Sequence, residues 1–580
     1  MRNKENIDEF IDGVMYKKFM NALSANDKIN FVTATFNSDG SPVFESSKFS
    51  IWPIQLIINE MPFEIRMSNP IVCGVWFGKD KPDMNIFLEP FVAYMNELSN
   101  EGVWCTIKNK DHCIKVYTVC CCVDSVARAP MQGLVQYNGY YGCNWCLHPG
   151  FYVALQRGGS IKYVLLDEMP SKRTEMQMIR HMQQSLTSAN PVYGVKKPTV
   201  LLNLRGFNVI SGFVPDSMHC INLGIAEQFL QYWIESNNLP YSLTNNDIHN
   251  IDIMLKEIKV PNQIARLSRS IRDRKWWKAR EYENWTLYYS IPILMCFSHL
   301  QIYAKHWALL VEAYYILLKR SITRIELNHA DGLLKRFVAY TEIYYSESAM
   351  TFNIHQLLHL AQSVADWGPL WAHSGYCFES GNGQIVKKVQ AAKGVIHQIC
   401  RTIAMNQSQL ILKEHVALRP FSMISNFISY LDKKHAKTTF KISHARYFGT
   451  NYPTNVRWIQ ELGLSHESRV YHKIVKERCL YISSRKNRLR SNNSFALTKE
   501  GSFIRIIDFI IDPLSRKEYT ICNVVNTEHI FDNNNTSMKK VIDIPNALLA
   551  IETNTIERVC VFIDINNAMY ICAVPNLFFY

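Results

Sequence analysis

Two cysteines, two histidines and three carboxylates are the residues of this chain whose types and spacing could do chemistry. Cys143 and Cys146 sit in Y-Y-G-C-N-W-C-L-H-P-G (140–150), the spacing at which both thiolates of a tight turn reach one tetrahedral zinc ion. Alone, one such pair in a chain with 16 cysteines is a weak signal. His355 and His359 lie four apart on an expected helix and so share one of its faces. Together the four would complete a closed Cys2His2 site for one structural Zn2+, stapling a helical region to an α/β region. Asp124 follows Ile114, Val116, Tyr117 and Val119, which read as a buried strand, and precedes Ser125, Ala127 and Ala129, which read as a helix start or tight crossover. Asp39 ends F-V-T-A-T-F-N-S-D-G (31–40), a strand running into a turn. Glu379 comes 20 residues after His359, on or beside the next helix. Brought together, Asp39, Asp124 and Glu379 would supply the oxygen ligands that two Mg2+ or Mn2+ ions need. Such ions, about 3.5–4 Å apart, activate a water or 3'-hydroxyl and stabilise the departing oxygen at a phosphodiester.

Plainer readings stand beside these. Asp39-Gly40 is also an ordinary hairpin turn, His355 and His359 ordinary helix histidines, and Glu379 a surface acid. Asp216 and His219, in V-P-D-S-M-H-C, read first as a helix cap and a structural first-turn histidine, and otherwise as metal ligands or polar support for an active site.

The elements that must position these residues follow from periodicity. Strand-like segments at 31–38, Val43–Trp52, Ile71–Phe77 and 114–123, with a helix over Phe87–Leu98, make a mixed α/β unit. From Asp216 to about 430 nearly every segment reads as helix, with Ile221, Leu223, Phe229 and Trp233 forming the apolar face of the first. Further helices are predicted at 262–280, 286–320, 323–345, 350–366 and 375–410. Beyond 440 short β-rich runs with Asn-rich turns take over. The expected division is a peripheral segment 1–29, a core 30–150, a helical insertion 151–350, a helical completion of the core 351–435, a basic linker 436–489 and a β domain 490–580.

At 580 residues the chain needs several domains. An apolar fraction of 48% against 19% charged residues excludes disorder as its main state. The formal charge of +13 is compatible with a polyanionic partner. Two windows concentrate it. Arg266, Arg269, Arg272, Arg274, Lys275, Lys278 and Arg280 surround Trp276 and Trp277, offset within the run only by Asp273. Arg469, Lys473, Lys476, Arg478, Arg485, Lys486, Arg488 and Arg490 form the most basic long window. Both read as nucleic-acid backbone contacts or as solvated surface. Irregular cysteine spacing, with an N-terminus lacking an apolar leader, points to a reducing intracellular compartment. The longest apolar run, Trp307 to Leu318, is broken by Glu312 and too short to span a bilayer.

Several motifs occur together in order: N-S-D-G-S-P-V-F-E-S-S-K (37–48) with S-I-W-P-I (50–54), C-V-D-S-V-A-R-A (122–129), Y-Y-G-C-N-W-C-L-H-P-G, P-D-S-M-H (215–219), and N-I-H-Q-L-L-H-L with G-P-L-W-A-H-S-G-Y-C-F-E-S (353–380). Over residues 30–410 the chain thereby resembles the transposases of CACTA-type (En/Spm-like) DNA transposons. That resemblance implies a ribonuclease-H-like DDE core interrupted by a helical insertion before its last acid. It assigns Asp39, Asp124 and Glu379 as the three acids, with two Mg2+ or Mn2+ ions as cofactors. It further implies double-stranded DNA as partner, a homodimer or higher homo-oligomer, no membrane, and the nucleus as compartment. The layout of Cys143, Cys146, His355 and His359 also resembles the zinc site of the recombinase that assembles antigen-receptor genes. Two departures stand out: Val389-Gln390 replaces a His-Gly pair common in relatives, and no recognisable DNA-binding domain precedes the core. They keep open a domesticated, non-catalytic DNA-binding or scaffold protein as the alternative to an active enzyme.

Overall fold

A computed structural model describes residues 6–44, 48–107, 109–154, 158–417, 423–425, 427, 440–441, 445–486, 490–531 and 534–578. The chain divides into two compact units, one formed by Met1–Ile225 with Ile316–Leu418, the other by Ala226–Tyr315 with Arg419–Phe579.

The first unit is organised by one mixed sheet. Its strands are β1 (Phe31–Ser38), β2 (Ser41–Pro42), β3 (Ser50–Ile58), β4 (Ile71–Gly78), β5 (Val103–Ile107) and β6 (Lys110–Cys122). A hairpin of β7 (Phe151–Ala154) and β8 (Gly159–Lys162) lies apart from it, and β9 (Phe213–Val214) rejoins it. β3 runs antiparallel to both β1 and β4, whereas β6 is parallel to β1, from Phe31↔Lys115 to Phe36↔Cys121. β9 is parallel to β6, pairing Cys121 with Phe213 and Cys122 with Val214. The order β4-β3-β1-β6-β9 therefore sends the C-terminal ends of β1, β6 and β9 to the same side of the sheet. Asp39, Asp124 and Asp216 come one or two residues beyond those ends.

Alternation along β1 explains why it is central. Ala34 and Phe36 face one layer, where Phe36 packs on Phe91 and Phe207 with ring centroids 5.2 and 5.7 Å apart. Thr33, Thr35 and Asn37 face the other and are buried, so each needs a partner. Thr35 Oγ1 donates to Asn59 Oδ1 at 2.8 Å, and Asn37 Nδ2 donates to the Cys122 carbonyl at 2.7 Å. The helix Met84–Asn100 covers the apolar side, burying Met84, Leu88, Phe91, Val92 and Met95. At about 1.5–3 kcal/mol per buried side chain, this outweighs the roughly 3 kcal/mol penalty of Pro90 inside the helix.

The helix Tyr376–Val386, which carries Glu379, docks on the opposite side. Gln55, fully buried on β3, donates from Nε2 to the Phe378 carbonyl at 3.1 Å and to Asn382 Oδ1 at 2.7 Å. Asp216 Oδ1 accepts from the Gly375 amide at 3.1 Å just before the helix.

Several expected elements differ. The helix predicted over 262–280 is irregular chain followed by a 3-10 turn, Ile271–Trp276, and a short helix, Ala279–Asn284. The Asp252 carboxylate fixes that turn, accepting from the Ile271 amide at 2.7 Å and from Ser270 Oγ at 2.8 Å. The helix predicted over 286–320 breaks up before Gln301–Leu317. Pro292 lies in that stretch, and Thr286 and Ser290 hydroxyls bond back to the carbonyls four residues earlier. The 375–410 segment is two helices, parted around Gly394 with its φ of +67°. The 151–350 stretch is not wholly helical, since it opens with the β7–β8 hairpin and contains β9. Nor are the described residues of 436–489 a linker. They form strands Ala445–Phe448, Arg469–Tyr471, Lys473–Lys476 and Cys479–Ile482 with a helix Val456–Leu462, because Tyr471, Ile474, Cys479 and Tyr481 alternate into a core.

In the second unit the later strands, from Phe495–Thr498 to Ala568–Ala573, pair antiparallel throughout. They pack with helices from 226–315: Ser537 Oγ donates to Glu312 Oε1 at 2.9 Å, and Arg558 Nη1 to Tyr315 Oη at 3.0 Å. Among the described residues no helix is long and apolar enough to cross a membrane.

Gly381 permits the close seating of the Glu379 helix, since a methyl group there would stand 2.0 Å from Gln55 Oε1. Gly381→Ala is expected to lower the thermal midpoint, at a cost of about 1–3 kcal/mol. Melting identical to the parent would show that Gln55 does not fix this helix.

Candidate active site

Each acid at the sheet end is held by its own local geometry. Asp39 leaves β1 and accepts the Gly40 amide on Oδ1 at 2.7 Å. Asp124 is the N-cap of the helix Ser125–Gln132, its Oδ1 accepting from the Ala127 amide at 2.6 Å. Glu379 stands in the first turn of its helix. Asp216, behind them, is buried, and its Oδ2 lies 2.7 Å from His219 Nδ1. His219 opens a π-helical stretch, Met218–Ala226, and its Nε2 is 3.7 Å from Glu379 Oε1. Ligand atoms of Asp39, His219 and Glu379 all lie within 4.8 Å of one another. Asp39, Asp124 and His219 are partly accessible and Glu379 is exposed, so the cluster opens to solvent on one side.

The charges in this cluster are unbalanced. Loss of hydration, then the charges of Asp124 and Glu379, push the Asp39 carboxyl up to about 7. Burial disfavours the His219 imidazolium, but the hydrogen bond and charge of Asp216 prevail and raise it to about 9. The chain thus places one imidazolium among four carboxylates, Asp216 bonded to it and Asp39, Asp124 and Glu379 around it. Oxygen donors in excess of local positive charge fit a hard divalent cation; the ligand atoms gathered closely enough to share one are those of Asp39, His219 and Glu379, and Asp124 lies outside that group.

The sequence reading brought Asp39, Asp124 and Glu379 forward, and the fold collects them at one sheet end. Asp216 and His219, read first as a helix cap and a structural histidine, stand at the site in the supporting position that is their second reading. Their signal is the i, i+3 pair directly after a short strand. The capping role read for Asp216 is also present, since its Oδ1 accepts the Met218 amide at 3.2 Å.

Cys143, Cys146, His355 and His359 also meet. Cys143 Sγ is 3.4 Å from His359 Nε2, Cys146 Sγ is 3.3 Å from His355 Nε2, and the two Nε2 atoms are 3.4 Å apart. A tetrahedral zinc with ordinary bond lengths has edges of about 3.3–3.8 Å between such ligands, so the four could hold one ion. The histidines come from the helix Phe352–Trp367. The cysteine loop is fixed by Arg173, donating to the Cys143 and Tyr141 carbonyls at 2.8 Å each. Tyr163 stacks on the His355 ring at 4.8 Å. Both thiols are buried, which opposes their ionisation, and a hydrogen bond from Cys146 with the neighbouring imidazoles favours the thiolate at Cys143.

The two basic windows carry more internal pairing than their sequence suggests, although Arg266, Arg269, Arg272, Lys275 and Lys278 of the first stay exposed. In the first, Arg269 is bidentate to Glu281 at 2.5 and 2.8 Å, Arg280 meets Glu283 at 2.7 Å, and Arg272 lies 3.7 Å from Asp252. Arg274 pairs with Glu235, which also stands 4.0 Å from Lys275, while Trp277 is buried. Only Arg266 and Lys278 of the seven have no ion pair among the described residues. In the second, Lys476 is buried and donates to the Asn554 and Ile556 carbonyls, and Arg485 meets Asp508 at 3.1 Å. Arg469 donates to the Ser468 carbonyl at 3.1 Å. Lys473 lies on a strand, Lys486 and Arg490 are exposed, and Arg488 lies outside the described residues. Asp252, Glu235 and Asp508 lie outside the windows they neutralise, which local charge counting does not see, whereas Glu281 and Glu283 directly follow the first window in sequence.

Asp39 gives a pH dependence. An unfolded aspartic acid ionises near 3.9, and the folded one near 7, so between those values the folded state binds more protons and stability falls as pH rises. Without added divalent cations, Asp39→Asn should be more stable than the parent by roughly 2–4 kcal/mol at pH 8 and nearly equal to it at pH 4. Parallel stability curves from pH 4 to 8 would remove this assignment.

Residues 9–188 match the family described as Transposase family tnp2, a span that contains Asp39, Asp124, Cys143 and Cys146. No curated protein matches the chain. The family match supports a transposase.

Proposed function

We propose that this protein is a DNA transposase of the DDE type, with a ribonuclease-H-like core and a CACTA-type relationship, that cuts DNA at transposon ends and joins the freed end to target DNA in the nucleus. The observation that carries this reading is the gathering of Asp39, Asp124 and Glu379 at one end of the sheet, from two parallel strand ends and a docked helix. The order β4-β3-β1-β6-β9, three strands antiparallel and the rest parallel, supports the ribonuclease-H-like assignment. The match of residues 9–188 supports the transposase assignment.

Asp39, Asp124 and Glu379 would hold the divalent ions. When bound, these ions supply the positive charge that activates the attacking hydroxyl and stabilises the departing oxygen of a phosphodiester. The surrounding residues prepare the site. Asp124 keeps one oxygen on the Ala127 amide, which fixes the orientation of the carboxylate. Asp216 holds His219 beside Glu379, where an imidazolium offsets carboxylate repulsion and can carry a proton. The four Cys and His ligands would hold one zinc that ties the helix Phe352–Trp367 to the loop after Asp124's helix.

Purified protein should then contain about one equivalent of tightly bound zinc, and Cys143→Ser should lower both zinc content and melting temperature. Full retention of zinc in Cys143→Ser/His359→Ala would eliminate the site.

The catalytic assignment is tested with Asp124→Asn. Asparagine caps a helix about as well as aspartate, and relief of the repulsion with Asp39 opposes the loss of the charge beside Arg128, so melting and duplex binding should stay near the parent values. Nicking and strand transfer on element ends, assayed in Mg2+ and Mn2+, should fall by several orders of magnitude. Equal activity of parent and variant would refute the triad. An inert parent on its own element ends would favour the domesticated scaffold instead.

A further inference from the structure

β4 leaves the sheet at the end where the acids lie. Its last residue, Gly78, pairs with Ser50 at the start of β3, and β3 begins at that end because it runs antiparallel to β1. Lys79 and Lys81 follow, both exposed. Lys79 Nζ stands 5.4 Å from the centroid of Phe49, whose ring stacks on Phe77 at 5.0 Å and 18°. Lys81 Nζ stands 5.8 Å from the centroid of Trp52. The Trp52 ring packs on the turn after Asp39, where a methyl on Gly40 would meet it at 2.5 Å. One indole therefore separates the Lys81 ammonium from the turn that carries the first acid.

Neither lysine has an ion pair among the described residues. Asp80 lies between them in sequence and pairs with neither, and nearby Asp83 is taken by Lys197 at 2.7 Å. At the end of the Glu379 helix and just past it, Val386 and Val389 belong to the same apolar cluster as Phe77, with exposed Lys387 between them. This contrasts with the window 266–280, where acids neutralise most of the arginines. An open group of carboxylates repels a phosphate backbone, so a substrate strand needs fixed cations at the rim. Ammonium groups seated over aromatic faces are partly ordered before any ligand arrives and remain free to meet a phosphate oxygen.

We propose that Lys79 and Lys81, on their aromatic ledge of Phe49, Phe77 and Trp52, bind the sugar–phosphate backbone of duplex DNA next to the phosphodiester presented to Asp39, Asp124 and Glu379. This rests on the reading of the protein as a DNA-cutting enzyme and adds the surface over which the substrate arrives.

The test compares the full chain with Lys79→Gln/Lys81→Gln for binding to a labelled random-sequence duplex between about 50 and 200 mM salt. The variant should bind about tenfold or more weakly near 0.1 M salt, with a salt slope shallower by about 1.8, the share of two phosphate contacts. Its melting temperature should be unchanged, and Lys79→Arg/Lys81→Arg should retain binding. Arg272→Glu/Lys275→Glu should bind as the parent does. Unchanged affinity and slope in the glutamine variant, with the parent binding, overturns the ledge alone. A parent that binds no duplex at the lowest salt overturns the DNA-cutting reading, and the ledge with it.

Discussion

One buried guanidinium joins the two chemical centres of the first unit. Arg128 lies one turn after Asp124 and is almost wholly inaccessible. Its Nε donates to Asn144 Oδ1 at 3.0 Å in the cysteine loop, and its Nη2 to Ser125 Oγ at 3.1 Å and Gln356 Oε1 at 3.0 Å, the latter beside His355. Its plane lies over Trp145, 4.4 Å from the ring centroid. Burial disfavours this charge, and the nearby Asp124 carboxylate and Cys143 sulfur offset the penalty. The helix that aims Asp124, the loop that presents Cys143 and Cys146, and the helix that presents His355 and His359 are thus fixed to one cation. A shift in any one leaves a buried charge without its partners, which is far more costly than a surface rearrangement.

The acids depend on a second constraint, the parallel registration of β1, β6 and β9. Parallel strands deliver their C-terminal ends together, so carboxylates distant in sequence meet without any loop having to reach. Glu379 arrives differently, on a helix seated by Gln55 and Asp216, both buried and both hydrogen-bonded to that helix or its approach. The site is therefore held by the sheet and its docked helix against the repulsion of its own charges. The upward shift of Asp39 and the imidazolium at His219 are the visible results of that confinement.

Charge in the second unit serves the fold more than its surface. Arg269, Arg274, Arg280 and Lys476 are tied to carboxylates or carbonyls. The lysines beside the acids in the first unit are seated over rings and carry no such partner among the described residues. Where a basic residue ends up unpaired is decided by which acids the fold brings near it, so a net positive charge alone does not locate a polyanion surface.

What the sequence determined by itself is local. The alternation of 31–38, the apolar run before Asp124, and the helices at 324–345 and 352–367 are legible because each is dictated by periodicity or by a cap. The Cys and His pairs are legible because their spacing is the one a shared metal ion would require. Tertiary structure decided the rest. Asp216 and His219 look like a helix start in sequence, and only the docking of the Glu379 helix places His219 beside Glu379. The segments 262–280 and 436–489 carry charge that suggests solvent or DNA, yet Asp252, Glu235 and Glu281 pair with arginines of the first, and Tyr471 and Ile474 turn the described residues of the second into a core. The division of the chain at 225 and 315 also follows from long-range packing, because the helices after Ile225 bury their faces with strands more than two hundred residues later. Periodicity reports which face of an element is apolar, but the partner that covers that face is chosen only when the whole chain has closed.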